Sequence, residues 1–189
     1  MKNKGVMFGV IFGVIAVVSL VIVLVLFNNS AQNQKDKKDS SLENLHYPER
    51  VEVNDDTDYV MTEDGLLIEY SFSNYAWGNT YYGKVILNSG DIYLFDCGED
   101  GEKASNDCLV KKVGTVEEAD LFTLKSKGDV LQKETSTKNV AQDFGELLIA
   151  YKNGNQNLVL DGKGDNRIVN DTKDAKEVLT ILKKYDIYI

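Results

Sequence analysis

His46 is the single histidine of the chain. No Ser-His or Cys-His nucleophile and no His-based zinc site can be built in a compact core without it. Its place at the end of a polar stretch marks an exposed linker residue. There is no GxxxxGK[ST] and no GxGxxG, and Gly162-Lys163-Gly164 is expected in a loop. Carboxylates abound, but no spacing singles out an acid–base pair, because such chemistry depends on separation in space. Asp96, Glu99, Asp100, Glu102 and Asp107 crowd one stretch. They do not follow the EF-hand spacing, so a solvated, charged loop is expected there. No catalytic residue, metal ligand or cofactor is assigned. A carboxylate-based hydrolase stays open as the weakest functional alternative.

Cys97 and Cys108 are the only cysteines. They are not C-x-x-C, which argues against thioredoxin-like redox work. Outside the cytoplasm the pair predicts a structural disulfide; two reduced thiols are the alternative. Aromatic residues gather between Tyr70 and Phe95. Tyr70, Phe72, Tyr93 and Phe95 fall on strand positions and belong to the core. Tyr75, Trp77, Tyr81 and Tyr82 lie in the Gly-containing connection Ser73–Gly83. Amphipathic rings on a loop suit a ligand or partner surface, so these four are the binding candidates. The competing reading is that they plug one end of a sheet.

The elements that must position these residues are mostly strands. In Ile68-Glu69-Tyr70-Ser71-Phe72-Ser73 apolar residues occupy even positions and polar ones odd positions, the period of a half-buried strand. Tyr82–Leu87 and Ile92–Phe95 flank Asn88-Ser89-Gly90-Asp91 and predict a hairpin. A two-residue loop would pair Leu87 with Ile92 and Val85 with Leu94. Both faces of this hairpin are mostly apolar, which places it in the interior of its sheet. Leu147–Tyr151 and Leu158–Leu160 flank Asn153-Gly154, a type I′ turn signal. Thr115-Val116-Glu117-Glu118 resembles a capping box, with Ala119 and Phe122 inward. Asp171 or Thr172 can cap a second helix running to about Lys184, with Ala175, Val178, Leu179 and Leu182 as its apolar stripe. No βαβ alternation occurs. The expected class is α+β: an antiparallel sheet with two hairpins and two helices, one face covered by helices, preceded by one transmembrane helix.

That helix is residues 5–27, 23 residues without a charged side chain, 17 of them Val, Ile, Leu or Phe. At 1.5 Å per residue it reaches roughly 35 Å, enough for a hydrocarbon core of about 30 Å. Its insertion gains on the order of 5–10 kcal/mol. A cleavable signal peptide is the rival, but its apolar region is about 7–15 residues. Lys2 and Lys4 beside the helix favour a cytoplasmic N-terminus, although Lys35, Lys37 and Lys38 follow on the other side. Gly5, Gly9 and Gly13 are spaced by four. With Ala16 and Ser19 they share an arc of about 120° on the helix. Such a small-residue face favours close helix pairing in lipid, so a homodimer through Gly5, Gly9, Gly13 and Ala16 is expected.

Residues 28–45 are polar and lack aromatics, a tether spanning roughly 23 Å as a flexible coil. Residues 46–189 then form one extracytoplasmic globular domain. The 21 basic and 30 acidic residues of the chain, less Lys2 and Lys4, leave −11 on the part beyond the anchor. That charge repels nucleic acid, so no nucleic-acid partner is expected.

Ser73-Asn74-Tyr75-Ala76-Trp77-Gly78, the following Tyr82-Gly83 and the hairpin resemble a group of secreted or membrane-anchored proteins of Gram-positive bacteria. Asn170-Asp171-Thr172 with Ala175 and Val178-Leu179 is similar to their C-terminal end. The resemblance covers about 66–189. Many of that group look like lipoproteins; this chain departs from them in having no cysteine after its apolar segment. The resemblance implies no activity. The function expected from these readings is a membrane-anchored cell-envelope binding or interaction module with an envelope ligand or protein partner. The runner-up is an acidic inhibitor or immunity-type protein that neutralises a cationic partner.

Overall fold

The computed structural model describes residues 45–54, 56–76, 78–98, 106–153 and 156–187. The expected transmembrane helix and its glycine face lie outside them, as do Trp77 and most of the acidic stretch after Gly98. Among the described residues no helix is long and apolar enough to cross a membrane.

Eight strands form one antiparallel sheet: β1 (Leu66–Asn74), β2 (Thr80–Leu87), β3 (Asp91–Asp96), β4 (Leu109–Thr115), β5 (Ser136–Asn139), β6 (Glu146–Asn153), β7 (Gln156–Gly164) and β8 (Asn166–Val169). Their order across the sheet is β4-β3-β2-β1-β6-β7-β8-β5. Helix α1 (Glu118–Ser126) follows β4, and α2 (Lys173–Leu182) follows β8. Thus β1 joins two meanders, with β2 on one side and β6 on the other. The α+β class, the two hairpins and the two helices match the sequence expectation.

The helices cover the face carrying Ile68, Tyr70, Ile86, Ile92, Leu147 and Ile149, and the main apolar core lies between. Ala175, Val178, Leu179 and Leu182, the predicted stripe of α2, are all buried there. Thr172 caps that helix, its Oγ1 accepting from Ala175 N at 3.3 Å. Asn170 supports the cap from a buried position. Its amide donates to the carbonyls of Gln132 and Val159, and its Oδ1 accepts from Thr172.

The opposite face is not bare. Tyr81, Val85, Leu87, Phe95 and Leu109 form a second, smaller core, packed by Val60, Leu66 and the two cysteines. The chain before β1 lies over it, with Val60 N donating to Leu109 O. The reading of β1 as half-buried is corrected: Glu69, Ser71 and Ser73 are buried along with their apolar neighbours.

Local expectations fail where a turn or a partner strand decides. The first hairpin pairs Ile86 with Ile92 and Lys84 with Leu94, not Leu87 with Ile92. Its turn closes from Leu87 to Gly90, with Gly90 at φ +94°. That extra left-handed residue, which glycine adopts without a steric penalty, shifts the register by one and exchanges the faces of one strand. In the second hairpin Asn153 pairs with Gln156, so only positions 154 and 155, outside the described residues, separate the strands. Gly162-Lys163-Gly164 is strand, not loop. At α1 no capping box forms. Thr115 ends β4 and donates to Asp91, and Glu117 at the N-cap makes no side-chain cap bond. Phe122 is 75% exposed and Ala119 is exposed, while Leu124 is the buried residue of that helix. The inward face is therefore set by what α1 packs on and not by the first apolar residues after its cap.

Candidate functional site

The four aromatic candidates are not brought together. Tyr81 and Tyr82 belong to β2, not to the connection, and adjacent strand residues face opposite sides. Tyr81 is buried, and its hydroxyl donates to the carboxylate of Glu69. Tyr82 lies on the helix-covered face, 5.5 Å from the Phe72 ring and beneath the Arg50 guanidinium at 5.0 Å. Tyr75 is exposed, in the bend after β1.

Tyr75 stands at a cleft of about 280 Å³ lined by Ser73, Asn74, Tyr75, Ala76, Gly145, Glu146, Asp165 and Asn166. Strand pairing builds its floor. Ser73 of β1 is directly opposite Glu146 of β6, and Glu146 is opposite Gly164 of β7. Directly opposed residues project to the same face, so the Ser73 hydroxyl and the Glu146 carboxylate are neighbours. The Asn166 amide donates to Glu146 Oε1.

Asp165 organises the far wall. Its backbone N–H donates to Gly145 O, its carbonyl accepts from Val140 and Ala141, and its Oδ1 accepts from Phe144 N at 2.9 Å. Gly145 has φ +79°, and a Cβ there would stand 2.4 Å from Ser73 O. Only glycine lets the loop and β1 approach this closely. Phe144, next to Gly145, is exposed but does not line the cleft.

The eight lining residues include two carboxylates and no Lys, Arg or His. Among the described residues neither Glu146 nor Asp165 has an ion-pair partner. Ser73 is 8% exposed, and its hydroxyl is not among the buried side-chain atoms left without a partner.

The buried carboxylates elsewhere meet cations. Asp96, expected in a solvated loop, is fully buried at the end of β3. Arg50 Nε donates to its Oδ2 at 2.8 Å, and Gly98 N donates to its Oδ1 at 2.9 Å. Around that pair Tyr47 meets Phe72 edge-on at 5.0 Å. The Tyr70 hydroxyl donates to the His46 carbonyl, and burial, with Tyr82 nearby, pushes it up to about 12. Glu69 is held by Tyr81 and by Lys152, whose ammonium lies against Oε2 as an ion pair off the line of a hydrogen bond. Arg167 Nη1 contacts Asp161 at 2.6 Å.

Cys97 and Cys108 are joined, with Cα atoms 4.9 Å apart. The bond ties the end of β3 to the start of β4 beside the smaller core. Among the described residues no group of three or more His, Cys, Asp or Glu side chains is placed to hold a metal ion. Sequence reasoning did not single out Ser73, Glu146, Asp165 or Asn166. The one signal was the polar Ser73-Asn74 leading into Tyr75; the partners come from distant strands. No family model, curated relative or solved structure matches this chain.

Proposed function

We propose that this chain is a single-pass, membrane-anchored binding module of the cell envelope that meets its ligand or protein partner at the cleft beside Tyr75. The observation that carries the reading is an exposed aromatic beside a polar cleft whose two carboxylates, Glu146 and Asp165, meet no cation among the described residues. Binding sites of this kind set a few convergent polar groups beside apolar rings. Trp77, two residues beyond Tyr75, extends the contact in this proposal. The apolar segment 5–27 and Lys2 and Lys4 support an anchor with a cytoplasmic N-terminus, and the glycine face supports pairing of two anchors. The cysteine pair supports an oxidising compartment for the domain.

Crosslinking in intact cells tests the site. A photoreactive phenylalanine analogue at position 75 of the full chain is expected to capture an envelope component, whereas the same group at exposed position 122 is not. Absence of any product at 75, or equal products at both positions, overturns the site. Protease added to intact spheroplasts should remove the domain, and full protection overturns the topology. The acidic-inhibitor reading is separated by salt: its association rate should fall steeply with ionic strength, whereas an aromatic-led contact should change little.

A further inference from the structure

Tyr47-Pro48-Glu49-Arg50 lies in a segment with no regular structure. Residues 45–53 form neither helix nor strand. Among the described residues none of them makes a backbone-to-backbone hydrogen bond. Side chains fasten the segment instead. The Tyr70 hydroxyl donates to the His46 carbonyl, the Tyr47 ring meets Phe72, and Arg50 reaches Asp96 and Tyr82. Pro48, the single proline of the chain, is buried. Proline fixes its own φ at about −65° and pushes the preceding residue into extended backbone. An extended, proline-containing segment laid on aromatic rings is also the form in which many proteins hold a peptide ligand.

The two halves of this contact differ. Phe72, Tyr82 and Asp96 are aligned across β1, β2 and β3. Asp96 is fully buried, and its Oδ1 is held by Gly98 N at 2.9 Å. The Arg50 side chain is 46% exposed and, among the described residues, donates through Nε alone. A guanidinium offers five N–H donors. The receiving half is thus built into the sheet, whereas the occupying half is a strap. The receiving half also specifies its occupant. A fully buried carboxylate requires a cation. A planar guanidinium can lie over the Tyr82 ring, 5.0 Å away, while it bonds the carboxylate. A lysine ammonium has no plane to stack. The −11 charge of the part beyond the anchor favours a basic partner.

We propose that the groove of Phe72, Tyr82 and Asp96 recognises an extended segment of a partner protein that carries proline and arginine, and that Tyr47–Arg50 fills this groove in cis as an autoinhibitory contact. Phe72 and Ser73 are adjacent on β1 and face opposite sides, so the groove is a second contact, separate from the cleft beside Tyr75. A groove filled in cis is open to a partner only in the fraction of molecules whose strap has lifted. The apparent affinity for the partner is reduced by that fraction, and weakening the strap must raise it.

The test uses the full chain in detergent micelles and the tetrapeptide Tyr-Pro-Glu-Arg, capped at both ends, as probe. Binding is followed by the amide shifts of Gly98 and Tyr82. Arg50→Ala should bind the probe about tenfold or more tightly than the unsubstituted chain. Replacing the arginine of the probe by citrulline, which keeps the shape and removes the charge, should weaken binding by about tenfold or more. If Arg50→Ala does not fold, Arg50→Lys keeps a charge at Asp96 without the planar fork and should bind the probe about threefold more tightly than the unsubstituted chain. No saturation at Gly98 and Tyr82 in the variants, equal binding of the citrulline probe, or an unsubstituted chain that binds as tightly as both variants overturns the inference. A dimer of the unsubstituted chain that Arg50→Ala abolishes, with no probe bound by either, would give the groove to the strap of a second copy and overturn the assignment to a partner protein.

Discussion

One end of the sheet carries two polar assemblies, one on each face, and they are built in opposite ways. On the helix-covered face the row Phe72–Tyr82–Asp96 is closed by Tyr47 and Arg50, and the Asp96 carboxylate is used on both oxygens. On the other face the adjoining row Tyr81–Ser73–Glu146 leads to the cleft, where Glu146 and Asp165 meet no cation among the described residues. A closed network stabilises, because each buried group has exchanged water for a protein partner. An open one leaves capacity for a ligand and contributes little to folding. Removing groups from the first should therefore cost stability, and removing groups from the second should cost binding.

The largest effect belongs to the closed side. Arg50→Ala leaves a fully buried carboxylate with only the Gly98 N–H, and breaking a buried pair in this way costs roughly 3–5 kcal/mol. Because Arg50 is itself half exposed, about 3 kcal/mol is expected in urea unfolding, with binding at the cleft unchanged. A loss below about 0.5 kcal/mol would break the comparison.

Alkali probes the same assembly. The Tyr70 hydroxyl is raised from 10.0 to about 12, chiefly by burial. A proton held more tightly in the folded state gives stability that is intact below pH 10 and lost as pH climbs through about 12. The loss should reach at most roughly 3 kcal/mol. Tyr70→Phe should flatten that part of the stability–pH curve, at the cost of the bond to the His46 carbonyl. A curve of unchanged slope in the variant would assign the alkaline loss to another group.

The disulfide adjoins the closed side, one residue beyond Asp96, between the end of β3 and the start of β4. Closing a loop of about a dozen residues is worth roughly 3 kcal/mol in the chain-entropy model and often less. Cys97→Ser with Cys108→Ser should lower the unfolding midpoint by that order and leave cleft binding measurable. Loss of cleft binding in a folded variant would show that the bridge also sets the cleft.

The smallest expected change is the sharpest contrast. Ser73→Ala removes a hydroxyl from the lining of the cleft, so stability should shift by less than about 0.5 kcal/mol. A loss above about 1 kcal/mol, read by calorimetry, would mean that Ser73 is bonded within the fold and that the cleft resembles the closed side after all.

Local patterns made several parts legible in advance. Alternating residues announced β1, and apolar runs around turn residues announced both hairpins. Ala175, Val178, Leu179 and Leu182 with Thr172 announced α2 and its cap, and two cysteines left one possible intramolecular pair. These signals act over a few residues, through side-chain period and turn chemistry.

Tertiary structure decided the rest. The left-handed Gly90 moved the first hairpin by one register position, and the second face of β1, with Glu69, Ser71 and Ser73, became buried. Arg50 reached across the sheet to make room for a charge at Asp96. The cleft exists because β1 pairs with β6, which places Ser73 opposite Glu146, and because the β7–β8 turn carries Asp165 to the loop at Gly145. No local period encodes those meetings. Pairing between distant strands is chosen by the burial and hydrogen bonding of the whole sheet, so the sequence alone specified the strands and the folded sheet specified the site.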